Sequence, residues 1–136
     1  KKQLKNAILE NKKNLKKIES VVHPEVQKNL KKFIKLNINR KILIFDIPLL
    51  IENKIYNKHY VLVYVDAKKK DINKKLKERK NYNAKILKKL RGSQLHLETK
   101  RKKAHYIIKN KFRKKNLENS VKILLKKILK NERNST

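Results

Sequence analysis

A single glycine, Gly92, stands among the 136 residues of this chain, although average usage would place about nine or ten there. Glycine supplies the left-handed backbone conformations that sharp loops and phosphate-binding turns require. A glycine-rich loop that cradles phosphate groups is therefore excluded from these residues. The chain also has no Cys, which excludes disulfides, thiolate nucleophiles and Cys-containing zinc sites.

The formal net charge is +30, and 35 of the 41 basic residues are Lys. One interpretation is a nucleic-acid footprint; the other is A/T-rich codon usage that placed Lys on every solvent-exposed face. We favour the second, because proteins that read bases and phosphates depend on the planar, bidentate fork of Arg. The charge therefore predicts no specific nucleic-acid partner.

Hydrophobic residues make up 38% of the chain, enough to bury the core of one globular domain. The densest apolar stretch, Ile42 to Ile51, is interrupted by Asp46 and Pro48 and falls well short of the roughly 20 residues that cross a bilayer. The sequence therefore predicts no membrane span. The Lys1-Lys2 start and the lack of Met lead us to expect a fragment of a longer protein.

The first 40 residues have helical patterns. Apolar residues from Leu4 to Leu9 and from Leu15 to Ile18 predict two short helices, broken near Asn11. Pro24 suits the first turn of a third helix, which should end before Arg40.

Three short apolar runs have the β-favouring composition of strands. Ile42 to Phe45 and Tyr60 to Val65 are typical of strands buried on both faces of a parallel sheet, and Tyr106 to Ile108 is a third. Strands separated by helices predict an α/β domain with a parallel sheet flanked by helices. Ligands bind beyond the carboxyl ends of such strands, where Asp46 and Asp66 stand. The helical patterns between and after the strands cover residues 71–79, 84–90 and 117–128.

Several sequence elements together resemble the dephospho-CoA kinase family. They are His23-Pro24, the string Asp46-Ile-Pro-Leu-Leu-Ile-Glu52, the strand ending at Asp66, the basic helix ending at Arg79, and Gln94, Lys100, Ala104 and Asn110, in the family's order and approximate spacing. The resemblance covers nearly the whole chain. It implies a P-loop kinase-like, three-layer architecture with a helical lid, in which the N-terminal part is missing.

This family transfers a phosphoryl group from ATP to the ribose 3′-hydroxyl of dephospho-CoA, the last step of coenzyme A biosynthesis. The resemblance implies a cytoplasmic enzyme whose partners are dephospho-CoA and ATP, the latter with Mg²⁺. It places the P-loop, the Mg²⁺ ligands and the catalytic base upstream, so we expect the 136 residues alone to be inactive. Two alternatives stay open: a basic nucleic-acid or ribosome-binding module, and another P-loop nucleoside or nucleotide kinase.

Under this interpretation residues 1–136 form part of a single kinase domain. Its predicted regions are 1–40, helical and on the acceptor side; 41–66, the core strands; 67–100, the helical lid; and 101–136, the last strand and the C-terminal helix.

The resemblance assigns phosphate contacts in the lid to two cations. Arg79 matches an Arg of the family, and Lys75 stands where the family has another. Cations on a lid neutralise the transferring phosphoryl group and help to exclude water. Lys75 is a departure, because Lys lacks the bidentate geometry of Arg. The alternative for both residues is a solvated, Lys-rich helix face.

The resemblance places the acceptor substrate beside His23 and the segment Pro48, Leu49, Leu50 and Glu52. His23 could instead be only a residue at a helix start. Pro48, Leu49 and Leu50 would shape the floor of the pocket. Glu52 could accept hydrogen bonds from a sugar hydroxyl or cap the next helix. No metal ligand is assigned.

Asn110 matches the Asn that lies near the adenine of ATP in the family, where an amide can both donate and accept. Its surroundings differ from the family pattern. The family usually has Asp before the strand and Gly soon after the Asn, whereas this chain has His105 and then Lys111-Phe112. A residue other than Gly adopts the left-handed backbone of such a turn only with strain, so the sequence leaves the conformation of this loop open.

Overall fold

The computed structural model of this chain describes residues 2–133. Over that range it forms six helices and two strands. In chain order they are α1 (Lys2–Glu10), α2 (Lys12–Leu36), β1 (Val63–Asp66), α3 (Lys69–Lys77), α4 (Ala84–Gly92), α5 (Leu97–Lys103), β2 (Tyr106–Lys109) and α6 (Lys114–Arg133). The prediction of an α/β chain with a parallel sheet is confirmed, as are the helices over 84–90 and 117–128. The helix predicted over 71–79 is present as α3, but it ends at Lys77 and does not reach Arg79.

The sheet consists of β1 and β2, which pair in parallel with Val63 opposite Tyr106 and Asp66 opposite Lys109. Parallel strands need a crossover connection, and here α3, α4 and α5 all lie between the two strands in sequence. The predicted strand over Tyr60 to Val65 is confirmed in its second half. Apolar residues that anchor the sheet are buried at its start and in β2: Leu62 is 8% exposed and Ile108 is 8% exposed.

The predicted strand over Ile42 to Phe45 is wrong, because this segment is irregular in the structure. A strand needs a neighbour that completes its hydrogen-bonded ladder, and within residues 2–133 β1 and β2 pair with each other alone. The prediction that this segment is buried on both faces is also wrong, since Ile44 is 84% exposed. Phe45 instead packs edge-on against Phe33 of α2, with ring centroids 5.8 Å apart. Asp46 therefore ends no strand.

The predicted helix start at Pro24 is also wrong. The break near Asn11 is confirmed, because the Asn11 side chain caps α2 by accepting the N–H of Lys13 at 2.9 Å. From there α2 continues through Pro24 to Leu36. Proline inside a helix removes one backbone hydrogen bond, but the apolar residues continue at helical spacing on both sides of it and favour one long helix.

The chain divides into two compact units, each made of two segments. The first unit contains residues up to 58 together with 83–95, and in it α1 packs against α2 and α4. The second unit contains 59–82 and the residues from 96 onward, and in it α6 packs against β2. The four regions expected from the sequence stay a prediction. No helix in the described part of the chain is long and apolar enough to cross a membrane.

Candidate functional site

The segment from Pro48 to Glu52 forms a tight turn in the first unit. Leu49 has a left-handed backbone with φ of 56°, a conformation that costs a residue other than Gly about 1–2 kcal/mol. Backbone N–H groups of Asn53 and Ile55 donate to the carbonyl oxygens of Leu49 and Leu50, each at 3.0 Å. Ile55 is 6% exposed and anchors the turn. Strained backbone held by its surroundings is common at functional sites.

His23 lies on α2, half-buried. Its Nε2 atom is 3.0 Å from the Nδ2 atom of Asn53, the residue that follows Glu52. The hydrogen bond joins α2 to the Pro48–Glu52 segment. The structure therefore brings together two of the predicted acceptor-side elements, which lie far apart in the sequence.

Glu52 makes its own long-range contact in the first unit. Its Oε1 atom accepts the backbone N–H of Leu95 at 3.0 Å, in the loop between α4 and α5. The carboxylate thus fixes this loop to the Pro48–Glu52 segment. A hydrogen bond from Glu52 to a sugar hydroxyl stays a prediction.

In the second unit Asp66 and Asn110 meet at the carboxyl edge of the sheet. The N–H of Asn110 donates to the carbonyl oxygen of Asp66 at 2.7 Å, one step beyond the pairing of Asp66 with Lys109. Burial raises the pKa of the neighbouring Tyr64 phenol, and the Asp66 carboxylate raises it further. The expectation that Asp66 ends a strand is confirmed.

Asn110 also lines a cavity of about 350 Å³ in the second unit. The Asn110 Oδ1 atom accepts the N–H of Phe112 at 2.8 Å, which leaves the amide nitrogen as the donor of this side chain. Three cations, one carboxylate and two amides line the cavity, which suits a polar, anionic ligand. The lining residues are Lys68, Asp71, Asn110, Lys111, Arg113 and Asn116.

The two predicted lid cations lie at the end of α3. Lys75 donates to the Oε2 atom of Glu78 at 2.8 Å in an exposed ion pair, and this hydrogen bond lowers the pKa of the Glu78 carboxyl. Arg79 is exposed in the loop that follows. Lys75 therefore shares its charge with a carboxylate, and Arg79 is two residues beyond the end of α3. Phosphate binding by either residue stays a prediction.

Comparison with known families identifies the chain. The family model described as dephospho-CoA kinase matches residues 1–116. The chain belongs to the dephospho-CoA kinase family.

Individual dephospho-CoA kinases are similar to most of this chain. The protein of Fusobacterium nucleatum subsp. nucleatum is 36% identical over 112 residues, which are 80% of this chain and 56% of the relative. The protein of Wolbachia pipientis wMel is 37% identical over 97 residues, 70% of this chain and 49% of the relative. The protein of Bartonella henselae is 30% identical over 131 residues, 95% of this chain and 67% of the relative. The chain spans about half the length of the first two relatives.

Two departures from the dephospho-CoA kinase pattern now have a structural explanation. Phe112 has φ of 56°, so the turn after Asn110 takes a left-handed conformation without the Gly that favours it. His105, where the resemblance leads us to expect Asp, uses Nδ1 to accept the N–H of Leu62 at 2.9 Å. An Asp carboxylate could accept the same hydrogen bond.

Asn53 is a residue of the candidate site that the sequence did not reveal. Its place directly after the Pro48–Glu52 segment is a signal, but an amide there is equally typical of a surface turn. Contact with His23 depends on how α2 packs, which the sequence pattern does not specify.

Proposed function

We propose that this chain serves the ATP-dependent phosphorylation of the ribose 3′-hydroxyl of dephospho-CoA, the last step of coenzyme A biosynthesis, in the cytoplasm. The observation that carries the proposal is the hydrogen bond that brings His23 to the Pro48–Glu52 segment. Two separate elements of the family pattern thereby form one surface. Family membership supports the same reaction.

The first unit supplies the acceptor side in this proposal. Leu49 and Leu50 are half-buried and Pro48 is exposed, so they can form an apolar floor whose shape the left-handed turn fixes. His23 and Glu52 supply polar contacts at its margin. Such fixed groups align the acceptor hydroxyl, and positioning provides a large part of the rate of phosphoryl transfer.

The second unit supplies the nucleotide side. The amide nitrogen of Asn110 can donate to an adenine ring nitrogen, while Lys68, Lys111 and Arg113 attract the anionic nucleotide to the cavity. We further propose that this small sheet belongs to a three-layer, P-loop kinase-like architecture. The unit's exposed Arg79 and, less directly, Lys75 would neutralise charge on the transferring phosphoryl group.

Mg²⁺ would accompany ATP and would supply positive charge that offsets the charge of the phosphates. Within residues 2–133 no three His, Asp or Glu side chains gather in a group that could hold a metal ion.

A chimeric enzyme tests the proposal. These 136 residues contain no G-x-x-x-x-G-K-[ST] sequence, so the test places them in the Fusobacterium nucleatum relative, replacing the stretch that they match. We expect the chimera to convert dephospho-CoA to coenzyme A with ATP, and phosphorus NMR should locate the new phosphate at the 3′ position. The 136 residues alone should form no coenzyme A.

Substitutions in the chimera separate the proposed roles. His23→Ala should raise KM for dephospho-CoA and Arg79→Ala should lower kcat, whereas Lys122→Ala, an exposed change on α6, should alter neither. Phosphorylation of a nucleoside or nucleotide in place of dephospho-CoA would overturn the proposal. So would the 136-residue chain binding DNA with clear sequence preference while failing to bind dephospho-CoA.

A further inference from the structure

We propose that Asn53 is a positioning residue that fixes the His23 ring with its proton on Nδ1, so that this N–H faces the acceptor as a donor. The last step of this inference, contact with dephospho-CoA, rests on the proposed function. The orientation of the His23 ring by Asn53 does not depend on the proposed function, because it follows from contacts inside the first unit.

Asn53 has little freedom to move. Its backbone N–H donates to the carbonyl oxygen of Leu49 at 3.0 Å, and its neighbour Glu52 is bound to the N–H of Leu95. Lys54, on the other side, has a left-handed backbone with φ of 51°. The amide of Asn53 therefore approaches α2 from a fixed direction and is half-buried beside His23.

The chemistry of the pair determines which ring nitrogen carries the proton. The amide nitrogen of Asn53 lies 3.0 Å from Nε2, and an amide nitrogen can only donate. Nε2 must then accept, so the neutral ring carries its proton on Nδ1. Nδ1–H is a donor suited to a hydroxyl or phosphate oxygen, the polar atoms that dephospho-CoA offers.

The protonated nitrogen can be read directly by NMR of the ¹⁵N-His-labelled 136-residue chain, with His23→Ala used to assign the His23 signals. We expect Nδ1 to be protonated in the wild type. In Asn53→Asp the carboxylate can only accept, which should place a proton on Nε2 without changing the size of the side chain. In Asn53→Ala the ring should lose its single preference. A wild-type ring protonated on Nε2, or the same pattern in all three proteins, would overturn the inference.

Calorimetric binding of dephospho-CoA to the same chain measures the functional consequence. Asn53→Ala should weaken binding about five-fold, the effect of one hydrogen bond, and should have no further effect in a His23→Ala background. The matched control is Asn29→Ala, because Asn29 lies on α2 but bonds to exposed Glu25 at 3.3 Å; its affinity should equal that of the wild type.

The outcomes separate this inference from the proposed function. If wild-type chain binds dephospho-CoA and Asn53→Ala weakens binding equally with and without His23, Asn53 acts independently and the inference is wrong. If the wild type fails to bind dephospho-CoA, the presentation of Nδ1–H to the acceptor fails, and the chimera separately decides the proposed function. The NMR result still decides whether Asn53 sets the ring.

Discussion

The Nδ1 atom of His105 accepts the backbone N–H of Leu62 at 2.9 Å, and the backbone N–H of His105 donates to the carbonyl oxygen of Leu62 at 2.8 Å. This two-way contact joins the segments that lead into β1 and β2. His105 therefore acts as a hydrogen-bond acceptor at the start of the sheet.

His105→Ala should therefore lower the free energy of unfolding by about 1–2 kcal/mol, because the N–H of the buried residue Leu62 loses its partner. His105→Asp should retain most of the stability at neutral pH, since a carboxylate accepts the same bond. Urea denaturation measures both. His96→Ala is the control, because His96 precedes α5 without a side-chain capping bond; an equal loss there would contradict the assignment.

Lys89 should stabilise the end of α1. Its Nζ atom donates to the carbonyl oxygens of Ile8, at 3.0 Å, and of Leu9, which lie in the last turn of α1 where a cation is favourable. Lys89→Met should lower the free energy of unfolding by about 1 kcal/mol and speed hydrogen exchange of the α1 amides. Lys88→Met, an exposed neighbour, should do neither. Unchanged exchange in Lys89→Met would contradict this role.

Phe112→Gly should be more stable than Phe112→Ala. Phe112 has φ of 56° and is 42% exposed; both variants lose the same half-buried ring, but only Gly relieves the backbone strain of about 1–2 kcal/mol. Phe112→Ala keeps the strain and serves as the control. Thermal unfolding should rank the Gly variant above the Ala variant; the reverse order would show that the turn is unstrained.

Lys75→Met should raise the pKa of the Glu78 carboxyl toward its ordinary value of 4.5, because the Lys75 hydrogen bond is the largest cause of its lowering. A lowered folded-state pKa adds stability that is present above the unfolded pKa and is lost as pH falls through the folded one. The ion pair should therefore favour α3 at pH 7 and cease to do so in acid. Carboxyl ¹³C NMR titration measures the change. Lys74→Met should shift it less, and an equal shift would contradict the pairing.

Local patterns were sufficient for most elements of this fold. Helical spacing located α3, α4 and α6, and Asn11 marked the break before α2 because its cap depends on neighbouring residues alone. The strand predicted over Ile42 to Phe45 was wrong because composition alone favours a strand, whereas a hydrogen-bonded ladder also requires a second strand in register. The helix start predicted at Pro24 was wrong because Pro occurs both at a helix start and inside a helix, and the residues that precede it decide which.

In the candidate site, too, features that depend on neighbouring residues could be predicted and features that depend on distant packing could not. The resemblance to the family singles out the Pro48–Glu52 segment and Asn110, because each is recognised from neighbouring residues alone; their roles stay predictions. The pairing of Asn53 with His23 and that of Glu52 with Leu95 could not be predicted, because both depend on the packing of distant segments. The sequence shows that the turn after Asn110 lacks Gly, but it does not specify the left-handed backbone that Phe112 adopts.

The order of segments along the chain constrains how this protein can be assembled during synthesis. The first unit needs residues 83–95 as well as those up to 58, so it cannot be completed until residue 95 has left the ribosome. By then β1 and α3, which belong to the second unit, have already emerged. Domains ordinarily fold in turn as they are synthesised. Here the first unit can be completed only after part of the second has emerged, and one proteolytic cut anywhere in the chain would divide at least one of them.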